Sequence, residues 1–432
     1  MKEKASYQEG IEYLYNLQKY GIKFGLSKTS NLIKAFGNPH KGRKYIHIAG
    51  TNGKGSVATF VASILKHAGI KVGFYSSPHL VRFTERFRIN HKEISREKAA
   101  GLIDELKDVV ASNSPPTFFE ATTAMAFLYF ARENTDIDIM EVGMGGRLDA
   151  TNLITPLVSV ITNISMEHQF FLGSCLLDIA GEKGGIIKEG VELVTGATQP
   201  SVISLFKSIC LEKRAPMWRV GTDISYRTTK YGFHYKGIKR RLNRLQLGLK
   251  GSFQVRNAAL ALAVIELLEK KGFRISSGDI QEGLKNSAWP GRMQVVAEYP
   301  TILLDGAHNP AAIRALAGSI RKEFEYRRLI LVIGIMEDKE IGQLLRGIVP
   351  IADYVIYTKP VYSRAAGPEI LMAEAAPLEK PGEVEPLLTK AIEKARDMAD
   401  PEDLIVVCGS LFTVGEALTY FDPETYSPDN LQ

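Results

Sequence analysis

A glycine-rich segment in the first part of the chain has the residue types of a phosphate-binding loop. It runs from Gly50 to Ser56, reads Gly-Thr-Asn-Gly-Lys-Gly-Ser, and lies between an apolar run and a segment with helical periodicity. Glycines let backbone N–H groups converge on phosphate oxygens, and the N-terminus of the following helix adds a positive partial charge. Lys54 would neutralise the β- and γ-phosphates of a nucleotide. Gly55 separates Lys54 from Ser56, so the loop departs from the common GxxxxGK[ST] pattern.

Two other residues could hold a metal ion beside those phosphates. Glu141 falls near the end of a predicted strand over 137–142, and His168 follows a predicted strand over 158–164. Because ligands of open α/β sheets bind at the carboxyl ends of the strands, both side chains are expected near the loop. An isolated histidine in such a place is more often structural than metal-binding, so His168 needs further support.

Apolar strand-like runs alternate with helix-period segments, and this alternation predicts a parallel α/β sheet. The first part of the chain contains predicted strands over 45–49, 72–75, 137–142 and 158–164, and predicted helices beginning near Ser56 and covering 96–110, 121–132 and 256–271. A basic section over 226–250 alternates like exposed strands. After Pro290-Gly291-Arg292 the alternation restarts, with predicted strands over 301–304, 329–333, 354–357 and 404–408.

The sequence therefore predicts two domains of the α/β class. Residues 1–296 form an N-terminal P-loop-type domain with a mostly parallel sheet, and residues 297–432 form a smaller, C-terminal Rossmann-like α/β domain. A chain of 432 residues exceeds the size at which one hydrophobic core keeps growing, which supports two cores.

Composition restricts the possible partners. The 54 Lys and Arg residues exceed the 48 Asp and Glu residues by six, a mild excess that suits small anionic substrates better than nucleic acid. Three cysteines without a CxxC pair fit a reducing compartment. No stretch stays uncharged for the roughly 18 residues that a membrane span needs, and the start has no apolar signal-peptide core. We expect a cytoplasmic protein with small-molecule partners, no nucleic acid and no membrane.

The motifs taken together resemble the folylpolyglutamate synthase/dihydrofolate synthase family, within the Mur-ligase superfamily of ATP-dependent amide ligases. The resemblance covers nearly the whole chain, and the ordered set is far more specific than any one motif. The motifs are Gly50–Ser56, Ser76-Ser77-Pro78-His79-Leu80, Glu85-Arg86-Phe87-Arg88-Ile89, Phe119-Glu120, Glu141-Val142-Gly143-Met144-Gly145-Gly146-Arg147-Leu148-Asp149-Ala150-Thr151-Asn152, Glu182-Lys183, Pro290-Gly291-Arg292 and Asp305-Gly306-Ala307-His308-Asn309-Pro310.

The resemblance implies a nucleotide and metal site between the two domains. The residues that it assigns to ATP are Gly53, Lys54, Gly55, Ser56, Asn257, Arg292, Asp305 and His308. Those that it assigns to magnesium, with two ions expected, are Ser77, Glu141 and His168. Lys183 matches the family's carbamylated lysine, because addition of CO₂ converts the amine into a carboxylate able to hold Mg²⁺. The alternative for Lys183 is an unmodified amine paired with Glu182.

The resemblance also implies a site for a pterin-bearing substrate, where aromatic rings can stack on the pterin. Its expected residues are Thr117, Phe118, Phe119, Glu120, Leu148, Asp149 and Ala150. Ser410 matches a position near the incoming glutamate, although a helix N-cap explains it equally well. Glu167-His168 replaces the family's usual Asp-His, and Gln294 stands where an acidic residue is frequent; neither change removes an expected metal ligand.

The implied enzyme adds L-glutamate to reduced folates, and to 7,8-dihydropteroate, through an acyl phosphate made from ATP. The residues with catalytic roles are Lys54, Lys183 and His308, with His308 as a phosphate contact ahead of a general base. The monomers of the superfamily make a monomer the expected state. Which pterin is used, the length of the polyglutamate tail and the preferred one-carbon form are left open by the sequence.

Four other interpretations stay open at this point. The chain could be a folylpolyglutamate synthase alone. It could be a Mur-type ligase for a cell-wall precursor, although the motifs at 118–120 and 145–152 argue against this. It could be a P-loop kinase or ATPase, whose turnover would not require an amino acid. The fourth is non-enzymatic: a basic cluster could bind RNA or an acidic partner, although such a run is usually a solvated strand face. That cluster comprises Lys236, Lys239, Arg240, Arg241 and Arg244.

Overall fold

Two parallel-rich sheets and one small antiparallel sheet organise the chain. The computed structural model describes residues 6–21, 25–110 and 115–429. The first sheet has eight strands in the order β4-β3-β2-β5-β1-β6-β7-β8. The pairs β2–β3 and β3–β4 are antiparallel, and the other neighbouring pairs are parallel. Their bounds are β1 Tyr45–Ala49, β2 Val72–Tyr75, β3 Phe87–Ile89, β4 Lys92–Glu93, β5 Ile137–Glu141, β6 Val158–Ile161, β7 Glu192–Thr195 and β8 Met217–Arg219.

Helices cover both faces of this sheet, so its central strands are buried throughout. One apolar core lies between the sheet and α3, α9 and α10, and a second lies between the sheet and α1, α4 and α5. The helices are α1 Tyr7–Asn16, α2 Ser27–Ala35, α3 Lys54–His67, α4 Arg96–Val109, α5 Phe118–Arg132, α6 Gln169–Leu172, α7 Leu176–Gly184, α8 Pro200–Glu212, α9 Gln254–Lys270 and α10 Ser277–Lys285; short 3-10 helices cover Leu17–Tyr20, Phe83–Arg86 and Ala150–Leu153.

The C-terminal part of the chain, from residue 294 onward, forms a six-stranded sheet in the order β12-β13-β17-β14-β15-β16, which is parallel except for β12. Its strands are β12 Gln294–Ala297, β13 Thr301–Asp305, β14 Leu329–Ile333, β15 Tyr354–Lys359, β16 Gly382–Leu387 and β17 Leu404–Cys408. Its helices are α11 Pro310–Glu323, α12 Ile341–Ile348, α13 Pro368–Ala375, α14 Leu388–Asp397 and α15 Leu411–Phe421, with 3-10 helices over Val349–Ile351 and Ala376–Leu378. The predicted fold class is confirmed. The strand β12 crosses the predicted boundary at 296/297, which stays a prediction.

Several predicted element ends differ from the observed ones by one to three residues, and three of these differences have a local explanation. Helix α3 begins at Lys54 rather than near Ser56, since Gly53 leaves the helical conformation with a φ of 85°. Helix α5 begins at Phe118 rather than 121, because Thr117 caps it. Strand β6 ends at Ile161, and the residues that follow it turn to bind the phosphate-loop backbone. Within the described residues, no helix is long and apolar enough to cross a membrane.

The basic section forms a separate antiparallel sheet in the order β11-β10-β9. Its strands are β9 Ser225–Thr229, β10 Gly232–Lys236 and β11 Arg241–Leu245. Most of the predicted basic cluster lies exposed at this sheet; of its side chains, Arg240 is half-buried and pairs with Glu269. The cluster therefore lies at the solvent-exposed surface of this sheet and of the turn between β10 and β11, and the solvated-face interpretation stays a prediction.

A buried carboxylate fastens the small sheet to α9. Glu266 is 2% exposed and accepts hydrogen bonds from the Tyr235 hydroxyl at 2.7 Å and from the backbone N–H groups of Ile238, Lys239 and Arg240. We expect Glu266→Leu to lower the free energy of unfolding by about 3 kcal/mol, because four donors lose their acceptor. The first urea-unfolding transition measures this loss.

The control for this variant is Glu282→Gln, which changes an exposed carboxylate on the neighbouring helix α10. A change within about 0.5 kcal/mol is expected there. A Glu266→Leu protein as stable as the control would show that Glu266 does not stabilise the attachment of the small sheet to α9.

Candidate functional site

The phosphate loop follows β1, which has β5 on one side of it in the first sheet and β6 on the other. This is the place where open α/β sheets bind ligands. The backbone of Asn52 is held from β6: its N–H donates to Asn163 Oδ1 at 2.9 Å, and its carbonyl accepts from Thr162 Oγ1 at 2.6 Å. Gly50 has a φ of 140°, and a Cβ there would lie 1.9 Å from Thr162 Oγ1, so the loop requires glycine at this position.

Lys54 is the first residue of α3, and its ammonium group lies over the loop. The Nζ atom donates to the carbonyl oxygens of Gly50 at 2.9 Å and of Thr51 at 3.2 Å. Ser56 is buried and accepts a hydrogen bond from Gln254 Nε2 at 3.3 Å. Asn257 donates to Gln254 Oε1 at 2.8 Å and packs against Gly53. The predicted nucleotide residues of the first domain therefore lie together.

A buried carboxylate faces this loop. Glu141 ends β5, is 5% exposed, and among the described residues has one hydrogen bond, a long one of 3.4 Å from the Ser77 N–H to its Oε2. Burial raises the pKa of Glu141 to about 7, although Lys54 and Arg292 act in the opposite direction. A carboxylate with so few partners favours a hard cation at this position.

Glu141 suits such a cation, since Mg²⁺ is usually bound by one or two carboxylates together with waters and substrate phosphates. The Ser77 N–H donates to Glu141, whereas His168 is the exposed N-cap residue directly before α6, with a φ of 47°. Among the described residues, no group of three or more His, Cys, Asp or Glu could hold a metal without help. The phosphates of a nucleotide would therefore have to supply the remaining ligands.

Lys183 pairs with Glu167 rather than with Glu182, which corrects the predicted alternative. Lys183 Nζ lies 2.7 Å from Glu167 Oε1, and both side chains are largely buried. Glu182 instead pairs with Arg147 at 2.8 Å. Burial by itself would raise the pKa of Glu167, but Lys183 and Lys54 outweigh it and hold the pKa at about 2. Burial also lowers the pKa of Lys183, which increases its neutral, CO₂-reactive fraction.

The second domain brings Asp305 and His308 to the same place, next to Arg292. Asp305 ends β13, and its carboxylate accepts from the N–H groups of Met293 and Ala307 at 2.9 and 2.8 Å. Burial raises the pKa of Asp305, and Arg292 opposes that shift. Two reciprocal amide hydrogen bonds between Asn52 and Asn309, of 3.2 and 2.8 Å, join the loop to the start of α11.

His308 is neutral in this arrangement. Burial lowers its pKa to about 4, and Arg292 and Lys339 contribute in the same direction while Glu167 opposes them. Its Nδ1 lies 2.8 Å from the carbonyl oxygen of Gly306, which can only accept, so Nδ1 carries the proton and Nε2 presents a lone pair. His308 could donate to a phosphate from Nε2 only in its protonated form, which the negative charge of a bound nucleotide would favour.

A cleft lies between the domains beside Glu141 and Arg292. Trp289 forms one wall, stacked on Phe74 at 5.3 Å and lying under the Arg88 guanidinium at 4.7 Å. The cleft is lined by Gly55, Ser76, Ser77, Pro78, Leu80, Glu85, Arg88, Glu141, Trp289, Pro290, Arg292 and Leu411. Sequence reasoning missed Trp289; the signal was its place directly before the Pro-Gly-Arg motif.

An aromatic wall adjoins the cleft where the pterin residues were predicted. The ring of Phe118 stacks on Tyr15 at 5.4 Å and lies 4.9 Å from the Arg86 guanidinium. Arg86 donates to His79 Nδ1 at 2.9 Å, so His79 Nε2 carries a proton and donates to the Tyr15 hydroxyl, also at 2.9 Å. No local pattern joins Tyr15 to this group, because 64 positions separate it from His79.

The polar residues predicted for the same substrate are engaged in holding the wall. Thr117 and Glu120 form a capping box at the start of α5, each side chain bonding to the backbone N–H of the other. Asp149 accepts from the N–H groups of Gly143 and Met144 at 3.0 and 2.9 Å, and from the Thr151 hydroxyl at 2.6 Å. These three predicted residues therefore position Phe118, Phe119 and the loop after β5.

The remaining predicted substrate residues have plainer surroundings. Leu148 is half-buried and Ala150 is buried at the start of a 3-10 helix. Ser410 caps α15 by accepting from the Thr413 N–H at 2.9 Å, which supports the N-cap explanation. Nearby, His47 of β1 is fully buried, and its Nε2 lies 2.8 Å from the hydroxyl of Thr151, the residue after Ala150.

Family models match both domains of the chain. The Mur ligase middle domain matches residues 48–265, and the Mur ligase glutamate ligase domain matches residues 291–411. A dihydrofolate synthase/folylpolyglutamate synthase of Bacillus subtilis is 32% identical over 424 residues, which cover 95% of this chain and 98% of that one. The chain belongs to this family of Mur ligases.

Solved structures of the family have the same fold. A FolC structure from Escherichia coli, described as a complex with DHPP and ADP, has a TM-score of 0.90 at 32% identity and covers 98% of this chain and 99% of that one. A bifunctional folylpolyglutamate synthase/dihydrofolate synthase from Yersinia pestis, complexed with AMPPNP and Mn ion, has a TM-score of 0.86 at 31% identity, with 96% and 98% covered.

One curated relative is much longer. A probable bifunctional folylpolyglutamate synthase/dihydropteroate synthase of Haloferax volcanii is 34% identical over 433 residues. The match covers 96% of this chain but only 50% of that protein. The family likeness therefore concerns the two Mur ligase domains and not the remainder of that relative.

Proposed function

We propose that the protein is an ATP-dependent ligase that joins L-glutamate to reduced folates and to 7,8-dihydropteroate. The observation that carries this proposal is the meeting of two sets of residues at one cleft. Lys54, Glu141, Arg292 and the Lys183–Glu167 pair come from the first domain, and Asp305 and His308 come from the second. Arg86 links the aromatic wall of Phe118 and Tyr15 to them, since it lies over the Phe118 ring and its charge acts on Glu141. The relatives' names and ligands agree with this function.

The reaction needs ATP because a carboxylate has no good leaving group. The pterin substrate's carboxylate attacks the γ-phosphorus, ADP leaves, and an acyl phosphate forms; the α-amine of L-glutamate then attacks the acyl carbon and expels phosphate. Lys54 is placed to screen the charge of the phosphates as the carboxylate approaches. The Nε2 lone pair of neutral His308 can accept a proton, so it could serve the amine when it is not bonded to phosphate.

Magnesium belongs to this proposal as the counter-charge for ATP. Bound at Ser77, Glu141 and His168, with ATP phosphates, it would polarise the γ-phosphoryl group and reduce repulsion of the attacking carboxylate. Carbamylated Lys183 would add a further carboxylate on the same side. The Glu167 contact holds the Lys183 side chain in place before that modification.

The test is ADP release by the purified protein with Mg²⁺, ATP and L-glutamate, with either dihydropteroate or tetrahydrofolate added and the product mass read in parallel. Release that requires glutamate and yields a product heavier by one glutamyl residue establishes the ligase. Activity with tetrahydrofolate alone would restrict the protein to folylpolyglutamate synthesis. Release that ignores both glutamate and pterin would overturn the proposal and leave a P-loop ATPase.

Gly143 gives a specific test of the aromatic wall. A Cβ at this position would lie 2.4 Å from Phe119 Cζ, so Gly143→Ala forces the Phe119 ring to move. Overpacking of this kind costs about 1–3 kcal/mol, and we expect the KM for the pterin substrate to rise about tenfold with the KM for ATP unchanged. Steady-state kinetics with each substrate varied in turn measures both constants.

The matched control is Gly181→Ala, since a Cβ at that helical glycine would meet nothing within 4 Å. Unchanged kinetics are expected for it. Equal KM values for the pterin substrate in Gly143→Ala and the native protein would show that Phe119 does not contribute to the substrate site.

The monomeric state and the cytoplasmic location stay predictions.

A further inference from the structure

The last described residues of the chain return from the second domain to the first. After α15, the carbonyl oxygen of Thr425 accepts a hydrogen bond from Arg82 Nη1 at 2.6 Å. Four residues later, the side chain of Asp429 is only 3% exposed although it follows Ser427 and Pro428, which are exposed. We call residues 425–429 the return segment. A carboxylate buried this deeply against another domain needs a reason beyond solubility.

Asp429 binds two elements of the first domain at once. Its Oδ1 accepts from the Tyr7 hydroxyl at 3.0 Å, and its Oδ2 accepts from the Phe83 N–H at 2.7 Å. Arg96 Nη2 lies 3.9 Å from Oδ1, which places a positive charge beside the carboxylate. Burial, followed by the charge of Asp429, raises the pKa of Tyr7, so its hydroxyl stays protonated and donates.

Both of these elements support the aromatic wall. Tyr7 begins α1, and the same helix carries Tyr15, which stacks on Phe118. Phe83 begins the 3-10 helix Phe83–Arg86, its own ring lies edge-on to Phe118 at 6.2 Å, and Arg86 at the other end lies over the Phe118 face. One carboxylate of the second domain therefore fixes the relative position of two sides of the wall.

Hydrogen bonds to one carboxylate hold the turn before Phe83 together. Glu85 accepts hydrogen bonds from the N–H groups of Leu80, Val81 and Arg82, all at 2.9 Å. A shift of the Phe83 backbone would therefore carry this whole turn, including Arg86, with it. Leu80 also packs against Gly415 of the second domain, so the turn is held between domains.

We propose that Asp429 is a positioning residue for pterin binding, acting through Tyr7 and Phe83 on the wall around Phe118. The inference rests on the proposed function, because it assigns the wall to the pterin substrate. Asp429 touches neither substrate nor nucleotide residues in this arrangement. Its removal should therefore weaken binding of the pterin substrate and leave binding of ATP unaffected.

The test compares steady-state kinetics of Asp429→Ala, Tyr7→Phe and the double variant in the full chain. We expect the KM for the pterin substrate to rise about tenfold in Asp429→Ala, which corresponds to about 1.4 kcal/mol, with kcat and the KM for ATP within about twofold of the native values. Tyr7→Phe should raise the same KM by less, and the double variant should fall short of the product of the two effects because the residues are in contact.

Glu424→Gln is the matched control, since it removes an exposed carboxylate from the residues just before the return segment. It should leave every constant unchanged. A KM for the pterin substrate that is unchanged in Asp429→Ala would overturn the proposal. A parallel rise of the KM for ATP together with a lower Tm would also overturn it, because that pattern indicates a general structural role.

A second measurement does not depend on catalysis. Hydrogen exchange of the native protein and of Asp429→Ala should show faster exchange over residues 80–86 in the variant, because the Phe83 N–H loses its acceptor. Unchanged exchange there would overturn the positioning role by itself. If the native protein lacks glutamate-dependent turnover but exchange over residues 80–86 is faster in Asp429→Ala, the proposed function is wrong while the contact between Asp429 and Phe83 is confirmed.

Discussion

Replacing Lys54 with methionine should reduce glutamate-dependent ADP release about 1,000-fold, a magnitude typical for loss of one preorganised charge at a reacting group. The ammonium is already held over the loop by the carbonyls of Gly50 and Thr51, at 2.9 and 3.2 Å, so it needs little rearrangement to meet a phosphate. Methionine has a similar length and no charge. The measurement is kcat by coupled ADP assay at saturating substrates.

The control for this variant lies on the same helix. Lys66→Met changes an exposed lysine in the last turn of α3, far along the helix from the loop, and should keep native turnover. The Tm of Lys66→Met should stay near the native value because this side chain is exposed. The Tm of Lys54→Met should fall only slightly, since the substitution removes two hydrogen bonds to loop carbonyls. A Lys54→Met enzyme that turns over within tenfold of the native protein would exclude the role of Lys54 in phosphate screening.

Replacing Lys183 with alanine should lower turnover about 100-fold, and millimolar formate or acetate should restore part of it. The native side chain lies against Glu167 in a largely buried site, where CO₂ can add to the neutral amine to give a carbamate and release a proton. Alanine leaves space for a small carboxylate to take the carbamate's place. Lys183→Arg fills that space and keeps the positive charge, so the same anions should not rescue it.

Lys207→Ala serves as the control, since it removes an exposed lysine from α8, the helix that follows α7 in the chain. Formate and acetate should have no effect on it. The native enzyme should also lose activity in CO₂-free buffer and regain it with bicarbonate, and native mass spectrometry should detect the carbamate. Full activity of Lys183→Ala without added carboxylate would show that Lys183 is not modified for catalysis.

Local patterns determined much of the fold. Strand β1, its turn and α3 could be predicted because an apolar run, a glycine-rich loop and a helical period follow one another directly. The strands of the second sheet were predicted for the same reason, since β14 and β17 are buried on both faces and are therefore apolar throughout. Element ends were less predictable, because side-chain caps such as that of Thr117 decide them.

Residue types and spacing determined which side chains carry the chemistry, and the ordered motifs indicated the family. Only the tertiary structure decided which of these side chains meet. Lys183 had a neighbour of the right charge in Glu182, yet its partner is Glu167, because α7 directs successive side chains to different faces. The Tyr15–His79 contact and the Tyr7–Asp429 contact span 64 and 422 positions, and no local pattern records a contact formed when distant elements pack together.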